Sequence, residues 1–281
     1  MFDILHYEFM RNALLAGVLV SIACGVVGSL VVVNRLSSLA GGVAHAAYGG
    51  LGLAVFFRWP LLAGAMLFSL LASTIMGSLT AKKKERADTT VGVVWALGMA
   101  FGILMIDLTK GYFVDLMSYL FGSILAVPGQ SILFMAGLDV VILVSIVLLY
   151  KELVALSYDE EFALISGVPV RALYYLVLIL IALCVVVLIR VVGLILVIAL
   201  FTIPASIAEL FTRKLSRIMV ASSILGMVFT VSGLFLSYYF NLTSGATIIL
   251  VAGVCYFAAL AAKRLFVKKS PDAAAPQGAR P

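Results

Sequence analysis

The sequence predicts an all-α, polytopic membrane protein of eight or nine transmembrane helices, and three observations carry that prediction. Of 281 residues, 64% are hydrophobic and only 11% charged, against roughly 45–50% and about 25% in a soluble domain. Mean hydropathy is +1.22. The apolar residues stand in long uncharged runs, as a helix needs if it is to cross about 30 Å of hydrocarbon with every backbone group bonded internally. So few charges cannot coat a globule of this mass, which excludes a water-soluble protein. The net charge of +6 is scattered between apolar runs, which suits membrane loops and argues against nucleic acid. Cys24, Cys184 and Cys255 each stand alone in an apolar run, with neither metal nor disulfide spacing, and read as buried small hydrophobes.

The first run, 12–33, starts after Arg11 and stops at Asn34-Arg35. It is longer than a signal-peptide core and lacks a small-residue cleavage site, so it reads as a retained span. The second, 39–57, ends at Arg58-Trp59-Pro60, and the third, 60–80, ends before the Lys82–Arg86 charge run. The fourth and fifth, 89–106 and 131–150, flank a connection carrying Asp107, Lys110 and Asp115, which read as solvated or capping charges. Runs 172–189 and 191–211 are divided at Arg190, and Pro204 inside the latter is a site where the helix can break, leaving eight full crossings. From Ile218 to Ala262 there is no charge, but Asn241-Leu242-Thr243-Ser244-Gly245 is turn chemistry that yields spans 217–239 and 245–262. Residues 1–265 thus form one transmembrane domain. Residues 266–281, with Pro, Ala and Gly but no apolar period, read as a disordered tail.

Counting Lys and Arg on alternate connections sets the orientation. One side receives Arg35; Lys82, Lys83, Lys84 and Arg86; Lys151 and Arg171; Arg213, Lys214 and Arg217; and Lys263, Arg264, Lys268, Lys269 and Arg280. The other receives Arg11, Arg58, Lys110 and Arg190. The split is 15 to 4, which places the N-terminus outside and the C-terminus in the cytoplasm.

No GxxxxGK[ST], HExxH or GxSxG occurs, so neither a nucleotide cradle nor a hydrolase is expected, and any ATP is bound by another chain. Two segments stand out. Between spans five and six, residues 157–168 read as an isolated short helix. Ser157 and Glu160 form an S-x-x-E capping box, Asp159, Glu160 and Glu161 load its positive end, and Gly167 with Pro169 stops it. A helix of two and a half turns is marginal alone; either its own spans or a docked partner must hold it, and its acids in a basic face favour docking.

The other segment is AGGVAHAAYGGLG, residues 40–52. On a helix Gly41, His45 and Gly49 stack at i, i+4 and i+8, beside a stripe of Gly42, Ala46 and Gly50. Such a face lets another helix approach closely, or leaves room around the imidazole for an ion; a single interhelical hydrogen bond from His45 is the alternative use. Asp139 and Glu209 are further ionisable groups inside apolar runs, where charge is costly; Arg213, one turn on, is an available partner for Glu209. Imidazole with carboxylate suits a divalent Zn, Mn or Fe ion, and a transport path needs few, imperfect ligands so that the ion leaves again.

From about residue 12 to 262 the chain resembles the permeases of bacterial ABC importers for zinc, manganese and iron. The stretches that carry the resemblance are GGVAHAAYGG around His45, DLMSYLFGSILAV at 115–127, YKELVALSYDEEFALISGVPVR at 150–171, VVGLILVIALFTIPASIAELFTRKL at 191–215 and GLFLSYYFNLTSGATIILV at 233–251. The resemblance implies a type II importer-like permease in the cytoplasmic membrane, paired with a second copy of itself. It also implies two ATP-binding subunits carrying ATP and Mg, and an extracytoplasmic metal-binding receptor. On this reading the chain binds no cofactor and holds the transported metal only transiently. His45 falls on the family's span-two histidine. The 157–168 helix, with Ser157, Tyr158, Asp159, Glu160, Glu161, Phe162 and Gly167, falls on the helix that inserts into the ATPase. Two positions depart from the pattern: Gly41 stands where many relatives carry an aspartate one turn before the histidine, and Glu209 stands where many carry arginine or another residue. A permease for metal chelates and an ion-coupled secondary transporter are the competing readings. The first would need a wide cavity, and the second often shows an internal repeat that the two halves here lack.

Overall fold

Every predicted run is helical in the computed structural model, which describes residues 7–80, 87–109, 122 and 124–268, excepting the side chains of 190–192, 194–195 and 266–268. The Lys82–Arg86 run, Lys110, Asp115, most of the 115–127 motif and the tail from 269 lie outside the described residues. The helices are α1 (Glu8–Val33), α2 (Ser37–Phe57), α3 (Leu61–Thr80), α4 (Ala87–Asp107), α5 (Gly129–Leu148), α6 (Tyr150–Tyr158), α7 (Glu160–Ile165), α8 (Val170–Phe211), α9 (Leu215–Phe240) and α10 (Ser244–Lys268). A short 3₁₀ turn at Ile124–Ala126 precedes α5. The last helix runs through Lys268. Among the described residues there is no strand.

Eight of these helices are long and apolar enough to cross a bilayer. Helices α1, α2 and the first leg of α8 form the interior, where Val20, Val27, Val43, Ala47, Ile181 and Val185 are fully buried. Helices α4, α5 and α10 turn large apolar side chains outward, among them Leu97, Leu133 and Phe257, as lipid-facing helices must. Since hydrocarbon outside removes the usual drive to bury apolar groups, close packing and interhelical hydrogen bonds must hold the bundle. Along the antiparallel pair α1 and α9, the hydroxyls of Ser21 and Thr230 share a hydrogen bond at 3.3 Å, and Ser29 donates to Ser222 at 3.3 Å. Gly25 lies directly on Ser223 and Gly28 on the Phe201 carbonyl, where a Cβ would collide.

Of the eight or nine crossings expected, eight helices reach spanning length among the described residues and the ninth run is shorter. Runs six and seven are one element, α8, with its break at Gly193 (φ 74, ψ 171) rather than at Pro204, which sits within helix. That combination of angles is essentially open only to glycine. The second leg, residues 194–211, runs about 27 Å at 1.5 Å per residue, near the lower limit for a hydrocarbon core. Even so, the chain returns to the end from which α8 started. There Asn34 donates to Ser157 at 3.0 Å, the Tyr158 hydroxyl donates to the Arg213 carbonyl, and the Ser216 amide donates to the Tyr150 hydroxyl at 3.1 Å. Thr80, closing α3, hydrogen-bonds Tyr174 in the first turns of α8 at 3.1 Å. The described helix ends near Arg35, Lys151, Arg171, Arg213 and Lys214 are therefore gathered at one end of the bundle. At the other end Ile124 lies beside Gly17 and Asn12 lies near Gly129.

Candidate metal path and coupling surface

His45 stands in the middle of α2, between faces that the flanking small residues pack tightly. Gly42 lies on Val91 and Met76, Ala46 on Gly98, Gly50 on Gly64, and Gly49 on Phe68 and the Gly98 carbonyl. The small-residue stripes therefore seat α2 against α3 and α4. The imidazole itself lies flat on the indole of Trp95 from α4, with ring centroids 4.4 Å apart and planes 12° from parallel. The indole N–H donates to Met99 Sδ at 2.9 Å. Nδ1 of His45 is buried with no hydrogen-bond partner among the described residues, so the structural hydrogen bond weighed for this histidine is not formed from that nitrogen. At Gly41, where the resembling permeases carry an aspartate, a Cβ would come 3.0 Å from Ile198 Cδ1 on the second leg of α8. The space beside the histidine on that side is filled by a hydrocarbon tip.

Asp139 lies at the centre of α5, 3% exposed, and neither carboxyl oxygen has a partner among the described residues. Its electrostatic neighbour is Cys184 on α8. An unpaired buried carboxyl is expensive and marks a site more than a scaffold. Glu209 is exposed at the end of α8, where it is an electrostatic neighbour of Tyr158. His45, Asp139 and Glu209 therefore have separate surroundings, and among the described residues no three His, Cys, Asp or Glu side chains gather as a metal site.

The predicted 157–168 helix is corrected to two shorter ones. Asp159 is the cap of α7: its Oδ1 accepts the Phe162 amide at 2.8 Å. Ser157 is the penultimate residue of α6 and accepts from Asn34 instead. The N-cap read at Ser157 thus moves two residues on to Asp159, an acid with the same capping ability, and with Phe162 at the third position no reciprocal box forms around it. The stop is as expected: Gly167 has φ +79, the Val168 amide reaches back to the Ala163 carbonyl at 3.0 Å and the Gly167 amide to Leu164 at 3.1 Å, a Schellman closure. Glu160 and Glu161 occupy the first turn. Beyond them α7 exposes Phe162, Leu164 and Ile165, the last 88% accessible. Leu164, Pro169 and Tyr175 help line an adjoining open groove of about 540 Å³. Burial, followed by the nearby Tyr150 phenol and Glu209 carboxylate, pushes the Tyr158 phenol up from its ordinary value.

Trp95, Ile198, Asn34 and Tyr150 were not singled out by the sequence. Each acts through a contact between segments distant along the chain, and only Trp95, as one of two tryptophans, carried any local signal.

Comparison with known proteins bears on the whole of this architecture. The model of the ABC 3 transport family matches residues 6–263. An uncharacterized membrane protein of Synechocystis is 53% identical over 264 residues, 94% of each chain. The manganese transport system membrane protein MntC of Listeria monocytogenes is 34% identical over 91% of each. Among solved structures, PsaBC from Streptococcus pneumoniae in complex with Fab superposes with a TM-score of 0.85 at 30% identity, covering 96% of this chain and 98% of that one. With the match running from the first helix to the last, the chain belongs to the ABC 3 transport family and is a multi-pass ABC transporter permease.

Proposed function

We propose that this permease forms the path of an ATP-driven importer for a divalent transition metal, with manganese the leading cargo. It works as a pair of identical chains in a bacterial cytoplasmic membrane, N-terminus outside and C-terminus cytoplasmic, with two separate ATP-binding subunits and an extracytoplasmic receptor. The observation that carries the reading is the likeness, over nine-tenths of both chains, to a relative named for manganese transport. The intramembrane His45 supports it. Imidazole with carboxylate is donor chemistry that suits a divalent transition metal, and few ligands let the ion leave. Asp139, unpaired and buried on another helix, is the second candidate contact. Glu209, exposed beside Tyr158, belongs with the coupling end. The end bearing α6, α7 and most of the basic residues faces the cytoplasm, where the exposed apolar tip of α7 presents a surface for the ATPase.

Reconstitution tests this directly. Uptake of Mn²⁺ into proteoliposomes is expected only when the co-purifying ATPase and ATP are present. Uptake by the chain alone, driven by an ion gradient, would instead establish a secondary transporter.

A further inference from the structure

We infer that Trp95 is a positioning residue for the transported ion, setting the direction in which His45 presents its lone pair; this rests on the reading of His45 as an ion contact. A metal binds in the plane of an imidazole, so the ring must be held by something other than the metal. In most metal-binding histidines a hydrogen bond from the second nitrogen does this. Here Nδ1 is buried with no such partner among the described residues, and the indole face supplies the constraint at 4.4 Å and 12°. Stacking against a flat ring fixes the plane of the imidazole and leaves its edge free.

The indole is fixed in turn. Its N–H is tied to Met99 Sδ, one helical turn along. Its helix is pinned to α2 immediately above the stack, where a Cβ on Gly98 would come within 2.9 Å of the Ala46 backbone. One turn below, Val91 closes on Gly42. The two rings thus sit between two points of near backbone contact, and a translation of α4 along α2 would be felt at the stack. Trp95 remains 38% exposed, so its replacement does not empty the core.

Two measurements test the inference. Since the chain has two tryptophans, Trp59→Phe leaves Trp95 as its sole indole. Paramagnetic Mn²⁺ added to the full chain in nanodiscs should quench that fluorescence saturably, and His45→Ala should abolish the saturable part. In the assembled transporter, Trp95→Ala should lower Mn²⁺ uptake about five- to tenfold, the scale of a lost aromatic stack. Trp95→Phe, which restores a flat face, should lose no more than about twofold. Native uptake by Trp95→Ala, an equal loss in the Phe and Ala variants when both complexes assemble, or absence of saturable quenching while His45→Ala stops transport, would each overturn the role of Trp95. Native uptake by His45→Ala would instead overturn the reading beneath it.

Discussion

At the scale of single residues, the proposed ion contact on the second span turns on the imidazole of His45 and the methyl tip of Ile198. Alanine at 45 removes the imidazole and offers no ligand atom, on a helix face already built of small residues. Replacing His45 by Ala is therefore expected to lower Mn²⁺ uptake roughly 10- to 100-fold, the range seen when a metal site loses its organisation, with the complex still assembling on size-exclusion chromatography. Near-native uptake would return His45 to a packing role. The neighbouring Gly41 yields a paired prediction. Sequence alone suggests that Gly41→Asp adds a carboxylate beside the histidine, but the built Cβ lies 3.0 Å from Ile198 Cδ1. The single variant is expected to be destabilised by about 1–3 kcal/mol through overpacking, and Gly41→Asp with Ile198→Ala to recover thermal stability. A shift in Mn²⁺ against Zn²⁺ preference is expected in the double variant; equal stability of single and double variants would show that Ile198 is not the obstacle.

At the scale of elements, α7 and α8 depend on backbone devices more than on apolar burial. Six residues cannot hold a helix by propagation, so α7 relies on the Asp159 cap and the Gly167 closure. Asp159→Ala should cost about 0.5–2 kcal/mol of local helix stability and lower transport-coupled ATP hydrolysis, whereas Asp159→Asn, an equally good cap, should spare it. If the alanine variant hydrolysed ATP and transported as the native chain does, the cap would be irrelevant to coupling. In α8 the positive φ of Gly193 turns the chain back. Gly193→Ala is expected to cost about 1–3 kcal/mol, seen as a lower midpoint of thermal unfolding in detergent, while Gly137→Ala, where a Cβ meets nothing within 4 Å, should be neutral. An equal response of the two glycines would argue that the break is not strained for other residues.

For the whole molecule, the testable consequence is which ends share a face. A straight α8 of 42 residues would carry Arg213 about 60 Å from its start. Instead, Arg213 and Ser216 meet Tyr158 and Tyr150. Single cysteines at 158 and 214 in a cysteine-free chain should therefore react with an impermeant thiol reagent from the same side, and on the proposed orientation that side is the cytoplasm. Labelling of the two positions from opposite sides would remove the return leg; labelling of both from outside would invert the molecule.

Composition and the lengths of uncharged runs determined the class of this protein, because the bilayer requires helices of a set length and tolerates few charges. They also placed the long helices, except that two predicted runs are the one element α8 and α10 extends past its predicted end, and the stop of α7 at Gly167 could be read from local turn chemistry. Gly42, Ala46, Gly49 and Gly50 announced a close helix contact, since small side chains at helical spacing have little other use in lipid. Tertiary structure alone decided that Trp95 covers His45, that Ile198 fills the space beside Gly41, that Asn34 claims Ser157 and leaves the cap to Asp159, and that His45, Asp139 and Glu209 stand apart. It also decided that α8 breaks at Gly193 rather than at Pro204. The physical reason is common to all five. Hydropathy and periodicity report how each segment meets the membrane, whereas partner choice depends on which distant side chains the packed helices bring within a few ångströms, and no single segment encodes that.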